Sequence, residues 1–199
     1  MHEIWGRIRQ AAEMEAGTFV DTVLLSGVPH VFGDSRTEYD DVRSELGAKL
    51  EIAEADIHMI GSGRLGFSQN PDHLLRLFGR HSDLDFVAIS SSLFDETALE
   101  LVQRAQEIMM VGDDEKRKLK KTRDNLFYGL LRPDQLPVSC SLSQSWFPRL
   151  AGPFLHEVTR QYPVKAWLFK SHSHARHFYT AHQARIQPAI QQLLSSGMA

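Results

Sequence analysis

"IGSGRLGFS", residues 60–68, and "SDLDFVAIS", residues 82–90, decide how this chain is read. The first is an apolar strand end running into a small-residue turn with one arginine. The second sets Asp83 and Asp85 one residue apart at the mouth of an apolar run. Residues i and i+2 of a strand point to the same face, so both carboxylates project from one side, in line with Val87 and Ile89. Leu84, Phe86 and Ala88 take the opposite face. A glycine turn lets backbone N–H groups approach a phosphate chain. Gly61 and Ser62 supply that turn and a hydroxyl, and Arg64 stands near enough in sequence to neutralise phosphate charge. Hard divalent cations take oxygen ligands, which makes Asp83 and Asp85 candidate metal ligands. Alone, a G-S-G after a strand usually just turns the chain, and an Asp-x-Asp usually caps or faces water. In this order, each strengthens the other.

Outward from these stretches, the chain alternates helices and strands. Residues 3–15 read as a helix with Ile4, Ile8 and Ala11 or Ala12 on one face. "TFVDTVLLSGVPHVF" (18–32), broken by Gly27 and Pro29, fits either a strand and turn or a short helix. Asp34 or Ser35 caps a helix over 36–50, where Tyr39, Val42, Leu46 and Leu50 repeat at helical spacing. After the strands at 56–63 and 83–90, Ser92 or Asp95 starts a helix to about 110, with Leu99, Val102, Ala105 and Ile108 or Met109 inward. Gly112 ends it. A further helix covers 113–131, with Leu119, Leu126 and Leu130 on its apolar face. Residues 132–137 and "VSCSLSQSWFP" read as irregular, 152–161 as a short helix, and "PVKAWLFK" (163–170) as a third strand. The last helix, 173–196, carries Phe178, Ala181, Ile186, Ile190 and Leu194, and Pro188 should kink or restart it. The fold class is α/β (α+β), one domain over 1–199 with helical segments at 92–131 and 172–196.

The composition fits a globular protein, with 42% hydrophobic and 24% charged residues in 199. A net charge of −3 excludes whole-molecule electrostatic attraction to nucleic acid. The single cysteine, Cys140, excludes an intramolecular disulfide and a cysteine-built zinc site. The absence of a signal-like N-terminus or a membrane-length apolar run gives the expectation of a soluble cytoplasmic protein without membrane contact.

The pair "IGSGRLGFS…SDLDFVAIS" resembles the signature of the polymerase-β-like nucleotidyltransferase superfamily, in particular its small standalone bacterial members. Gly61, Ser62, Gly66, Ser82, Asp83 and Asp85 match that signature, which spans residues 57–90. The resemblance implies a mixed sheet flanked by helices with an additional C-terminal helix. It implies nucleotide binding (ATP or another NTP) at Gly61, Ser62, Gly66 and Ser82, with Arg64 beside them. Asp83 and Asp85 would be catalytic and hold Mg²⁺ or Mn²⁺ while NMP passes to a protein, RNA or small-molecule acceptor. Some members of the family pair with toxins or act in antiviral defence, which would bring a partner protein. Two departures stand out. The gap between serine and acidic pair is long, with "QNPDHLLRLFGRH" (69–81) reading as a loop insertion. The family's third carboxylate lies on a later strand, and "VKAWLFK" holds no acid, only Lys165 and Lys170. Glu157 is a substitute that spacing does not specify. An active transferase and a degenerate nucleotide sensor or complex subunit therefore stand side by side.

A third reading needs no resemblance. "KRKLKKTR" (116–123) puts Lys116, Arg117, Lys118, Lys120, Lys121 and Arg123 on one helix, either as a solvated face or as a contact for RNA or DNA phosphates. "SHSHARH" offers His172, His174 and His177, with His182 beyond, as hydrogen-bonding groups, zinc ligands or ligand contacts beside the cleft. Trp146 and Phe147 read as core anchors or a docking patch. Cys140 lacks a specified base.

Overall fold

The computed structural model describes residues 2–197, apart from the side chains of residues 108, 109 and 111. The expectation for Ile108 or Met109 lies outside the described side chains. The elements run α1 (His2–Glu13), α2 (Ala16–Phe19), α3 (Arg36–Leu50), β1 (Ile57–Ile60), α4 (Gly61–Leu65), β2 (Leu84–Ile89), α5 (Ser91–Gln103), α6 (Ala105–Val111), α7 (Asp113–Phe127), β3 (Leu130–Leu131), α8 (Ser141–Ala151), α9 (Glu157–Gln161), β4 (Val164–Phe169) and α10 (His172–Ser195). The strands form one mixed sheet in the order β1-β2-β4-β3, antiparallel at its outer pairs and parallel between β2 and β4. Among the described residues no helix is long and apolar enough to cross a membrane.

The alternation in "LDFVAI" places helices on both sides of the sheet. Leu84, Phe86 and Ala88 join Ile57, Met59, Ala166 and Leu168 in a core closed by α3 and α8. Val87, Ile89 and Phe169 face the other way, onto α1 and α10. Asp85 and Lys165 belong by parity to this second side. α3 begins at Ser35, whose hydroxyl accepts the Glu38 N–H at 3.3 Å. It ends where Glu51 takes a left-handed φ of 61°. Gly47 in its last turn lies so close to the returning chain that an added Cβ would sit 2.6 Å from the Ile52 carbonyl oxygen. Gly47→Ala should therefore destabilise the fold by about 2 kcal/mol in chemical denaturation, because overpacking against backbone outweighs alanine's better helix propensity.

Several expectations change. Residues 18–32 resolve as short helical turns: α2, a π-turn over Val20–Leu24 and a 3₁₀ turn at His30–Phe32. α5 starts on Ser90 rather than Ser92, its hydroxyl accepting the Leu93 N–H at 3.3 Å. Phe94, Thr97 and Leu101 are its buried residues, so Leu99 and Val102 point outward at 57% and 72% exposure. α7 stops at Phe127 instead of reaching 131, because Gly129 adopts a left-handed φ of 64° and releases Leu130–Leu131 to pair with β4. "VSCSLSQSWFP" is largely helix, not irregular chain. Glu100 of α5 accepts the Ser141 N–H at 3.0 Å and the Ser141 hydroxyl at 3.0 Å, supplying an N-terminal partner from 41 residues away. Trp146 then docks α8 on the sheet, its indole N–H donating to the Ala166 carbonyl at 3.1 Å. α10 runs through Pro188 as one helix, and its buried line is Ala175, Tyr179, Gln183, Ile186 and Ile190, leaving Ala181 exposed.

Candidate functional site

The two opening stretches meet. β1 and β2 pair with Ile60 opposite Asp85, so the residue after Ile60 lands against that carboxylate. That residue is Gly61, at φ +66°, and a Cβ there would lie 2.9 Å from Asp85 Oδ2. Glycine is thus required twice, for its backbone angle and for the close approach. The turn continues as the short helix α4, which ends at Gly66 with φ +86° and a Gly66 N–H bond to the Ser62 carbonyl at 2.8 Å. Gly61, Ser62, Ser82, Asp83 and Asp85 all line one cavity of about 520 Å³.

Arg64 and Gly66 are not part of that lining. Arg64 is buried, with Nε donating to the Val23 carbonyl at 2.7 Å and Nη1 to Gly27 at 2.8 Å. This corrects the phosphate role suggested by sequence proximity: Arg64 clamps the 20–27 segment onto α4. Gly66 makes room for His30 and Ile4, each 3.0 Å from where its Cβ would be. Ser82 holds the far rim in shape, its Oγ accepting the Gly79 N–H at 3.1 Å.

The segment 69–81 is no free loop insertion. It doubles back as a small hairpin, with a bridge between Phe67 and Leu77 and bonds from Ser68 N–H to Arg76 carbonyl and Phe78 N–H to Gly66 carbonyl at 2.8 and 2.9 Å. Gln69 ties it to α10 through Gln183 at 2.7 Å. The hairpin forms one cavity wall, bringing Arg76 and His81, while α10 brings Phe178, Tyr179, His182 and Arg185. Trp167 of β4 completes the aromatic side. Sequence reasoning anticipated only His182 among these. Arg76 and Tyr179 carry no local motif, and only the contact of hairpin and helix assembles them. The Tyr179 hydroxyl is buried without a hydrogen-bond partner among the described residues.

The electrostatics turn on β4. In the parallel ladder Lys165 stands beside Asp85, and its ammonium forms an ion pair with Asp83. The strand that would carry a third acid thus presents a cation to the acidic pair. Burial, followed by the Asp83 charge, raises the Asp85 carboxyl to about 7. The Asp83 bond raises the Lys165 ammonium above its usual value. Among the described residues no group of three His, Cys, Asp or Glu side chains converges as a metal site. Two carboxylates, one of them ion-paired with Lys165, are a sparse ligand set for a pair of Mg²⁺ or Mn²⁺ ions, which take several charged oxygen ligands. A second cavity of about 530 Å³ reaches Asp85 and Lys165 from the α8 side, past Phe147 and Arg132.

The remaining motifs lie elsewhere. His172 pairs with Asp56 at 2.9 Å and His174 Nδ1 meets the Ser171 hydroxyl at 2.7 Å, so the histidines do not converge as a zinc site. Lys116, Arg117, Lys118 and Arg123 form ion pairs with Asp113, Asp114, Glu115 and Asp124 of their own helix. The basic run is thus largely neutralised where it stands and lies apart from the cavity.

His58 on β1 has Nε2 buried without a partner among the described residues, and burial, then His172, lowers its pKa to about 4. Because the folded value lies below the unfolded one of about 6.5, the contribution of this group to stability is fully present above pH 6.5 and is lost as pH drops toward 4. With Asp85 replaced by asparagine, so that its opposing titration is removed, urea unfolding at pH 5 should show about 2 kcal/mol less stability than at pH 7, and adding His58→Gln should remove most of that difference.

No family model, curated protein or solved structure matches the chain, so the site's own geometry carries the functional argument.

Proposed function

We propose that the chain is a nucleotidyltransferase-like protein that binds a nucleoside triphosphate without transferring NMP, as a nucleotide sensor or a subunit of a larger assembly. The cavity's volume of about 520 Å³ suits a ligand of that size. Arg76, Arg185, His81 and His182 offer donors to phosphate oxygens, and Trp167, Phe178 and Tyr179 an aromatic face to a base. The observation that carries the reading is Lys165, paired with Asp83 at the strand position beside Asp85. Its ammonium supplies positive charge where the resembling enzymes need ligated metal, and it leaves no carboxylate to complete the set.

Calorimetry with each NTP in Mg²⁺ and again in EDTA is the test. Binding of similar strength in both, with no label passed from α-³²P-NTP to protein or RNA, is the expected result. The Asp83–Asp85 pair against Gly61 favours a second reading, an active transferase. Efficient label transfer by the isolated chain, abolished by Asp83→Ala and Asp85→Ala, would establish that reading instead.

A further inference from the structure

Three buried side-chain atoms lack a hydrogen-bond partner among the described residues: His58 Nε2, Thr180 Oγ1 and the Tyr179 hydroxyl. Of these residues only Tyr179 lines the 520 Å³ cavity. It is 7% exposed. Its ring is packed edge-on to Phe178 at 5.3 Å and tilted on Phe169 at 5.9 Å, which holds the hydroxyl in place. Gln183, one turn further along the same buried line of α10, has its amide satisfied by Ala11 and Gln69. An unpaired buried hydroxyl is destabilising, and on this helix it is tolerated on the wall of the cavity. Burial, then the Asp85 charge, pushes the phenol well above its usual range, so it stays protonated and donates.

We propose that Tyr179 makes the cavity selective for ribonucleotides, its hydroxyl donating to a ribose hydroxyl of the bound nucleotide. This rests on the nucleotide reading above. The partner must accept from the phenol where Asp85 is the strongest charge acting on it, ahead of Arg132. A phosphate accepts, but Asp83 and Asp85 repel it. A base stacked on the aromatic side is out of reach, because a phenol hydroxyl lies in the plane of its ring and a stacked base lies over the face. A sugar hydroxyl hangs off the edge of such a base and is neutral. It accepts from Tyr179 and donates its own proton to the Asp85 carboxyl, both through one oxygen. Base amino groups only donate and base carbonyls only accept, so neither fills both roles at a single atom.

The test is calorimetry of wild type and Tyr179→Phe with ATP, GTP, CTP and UTP, each against its 2′-deoxy and 3′-deoxy forms. Wild type should bind its preferred ribonucleotide about tenfold tighter than one of the two deoxy forms. Tyr179→Phe should lose that same factor toward the ribonucleotide, and deleting the sugar hydroxyl should then cost nothing further, since both deletions remove one interaction. The variant's Tm should equal or exceed that of wild type, because phenylalanine keeps the ring and removes an unpaired polar atom. Equal affinity of wild type for ribo and deoxy forms overturns the proposal and leaves nucleotide binding standing, as do additive losses in the two deletions. A lowered Tm in Tyr179→Phe also overturns it, by placing the hydroxyl's partner inside the fold. Absence of any NTP binding by wild type overturns the nucleotide reading itself, and this proposal with it.

Discussion

Replacing Lys165 with aspartate should raise Mn²⁺ affinity over that of the wild-type chain by at least about a hundredfold. Lys165 lies beside Asp85 in the parallel ladder and reaches Asp83, so a carboxylate on its Cβ joins the other two on one face. Three carboxylates without a cation repel, and the metal-free variant should melt below wild type. Mn²⁺ relieves that repulsion and restores the melting temperature, by about 2.7 kcal/mol at a hundredfold excess over Kd. Lys165→Gln separates the two effects: it frees Asp83 but adds no ligand, and should bind Mn²⁺ only weakly. Calorimetry and electron paramagnetic resonance of free Mn²⁺ read the difference directly. Equal Mn²⁺ affinity in wild type and Lys165→Asp would show that the lysine is not what sets the site's preference.

Short-range pattern specifies the centre of the molecule well and its rim poorly. The contact of Gly61 with Asp85 follows from local rules: a strand, a glycine at its end, and an alternating strand beside it. The identity of the side chain next to Asp85 was equally legible, since "VKAWLFK" visibly lacks an acid. That the lysine reaches Asp83 depends on register between strands some 80 residues apart in sequence, which no local pattern sets. Arg64 misled for the same reason. Its neighbours in sequence suggested phosphate, whereas the carbonyls of Val23 and Gly27 claim its guanidinium.

The helices divide along the same line. α3 carries its own cap in Ser35 and its own apolar period, and its span was legible residue for residue. α8 is stabilised at its start by Glu100 on another helix, so the uncharged serine-rich stretch before Trp146 showed no local helix signal. In α5 the sequence offers two apolar stripes, one through Phe94 and Leu101 and one through Leu99 and Val102. The packing of α5 on the core selects the first. In α10 the buried line contains Gln183, whose amide is satisfied by the Ala11 carbonyl at 2.6 Å and by Gln69. A buried, fully bonded polar residue is invisible to hydrophobic spacing.

Asp85→Asn should make the protein more stable, and increasingly so as pH rises. Burial and the neighbouring Asp83 hold the Asp85 carboxyl at about 7, well above its unfolded value of 3.8. The folded state therefore binds more protons than the unfolded state between these values, so stability is lost as pH climbs from about 4 to 7 and stays lost above it. Asparagine keeps the shape, carries no charge to desolvate, and can donate an N–H toward the Asp83 carboxylate. At pH 8 the gain should be on the order of 3 kcal/mol, a rise of roughly 5–10 °C in Tm for a chain of this size. At pH 4.5 the gain should shrink to about 1 kcal/mol or less, since the wild-type carboxyl is then protonated in the fold. His58 acts in the opposite direction, lowering stability as pH falls from 6.5 toward 4, so over that window the two slopes largely offset each other and the wild-type pH dependence is shallow. In the variant only the acidic limb should remain. A destabilisation by Asp85→Asn at pH 8 would mean that Lys165 more than offsets the desolvation of Asp85, and that the three side chains form one ion network rather than a lysine–aspartate pair beside a strained acid.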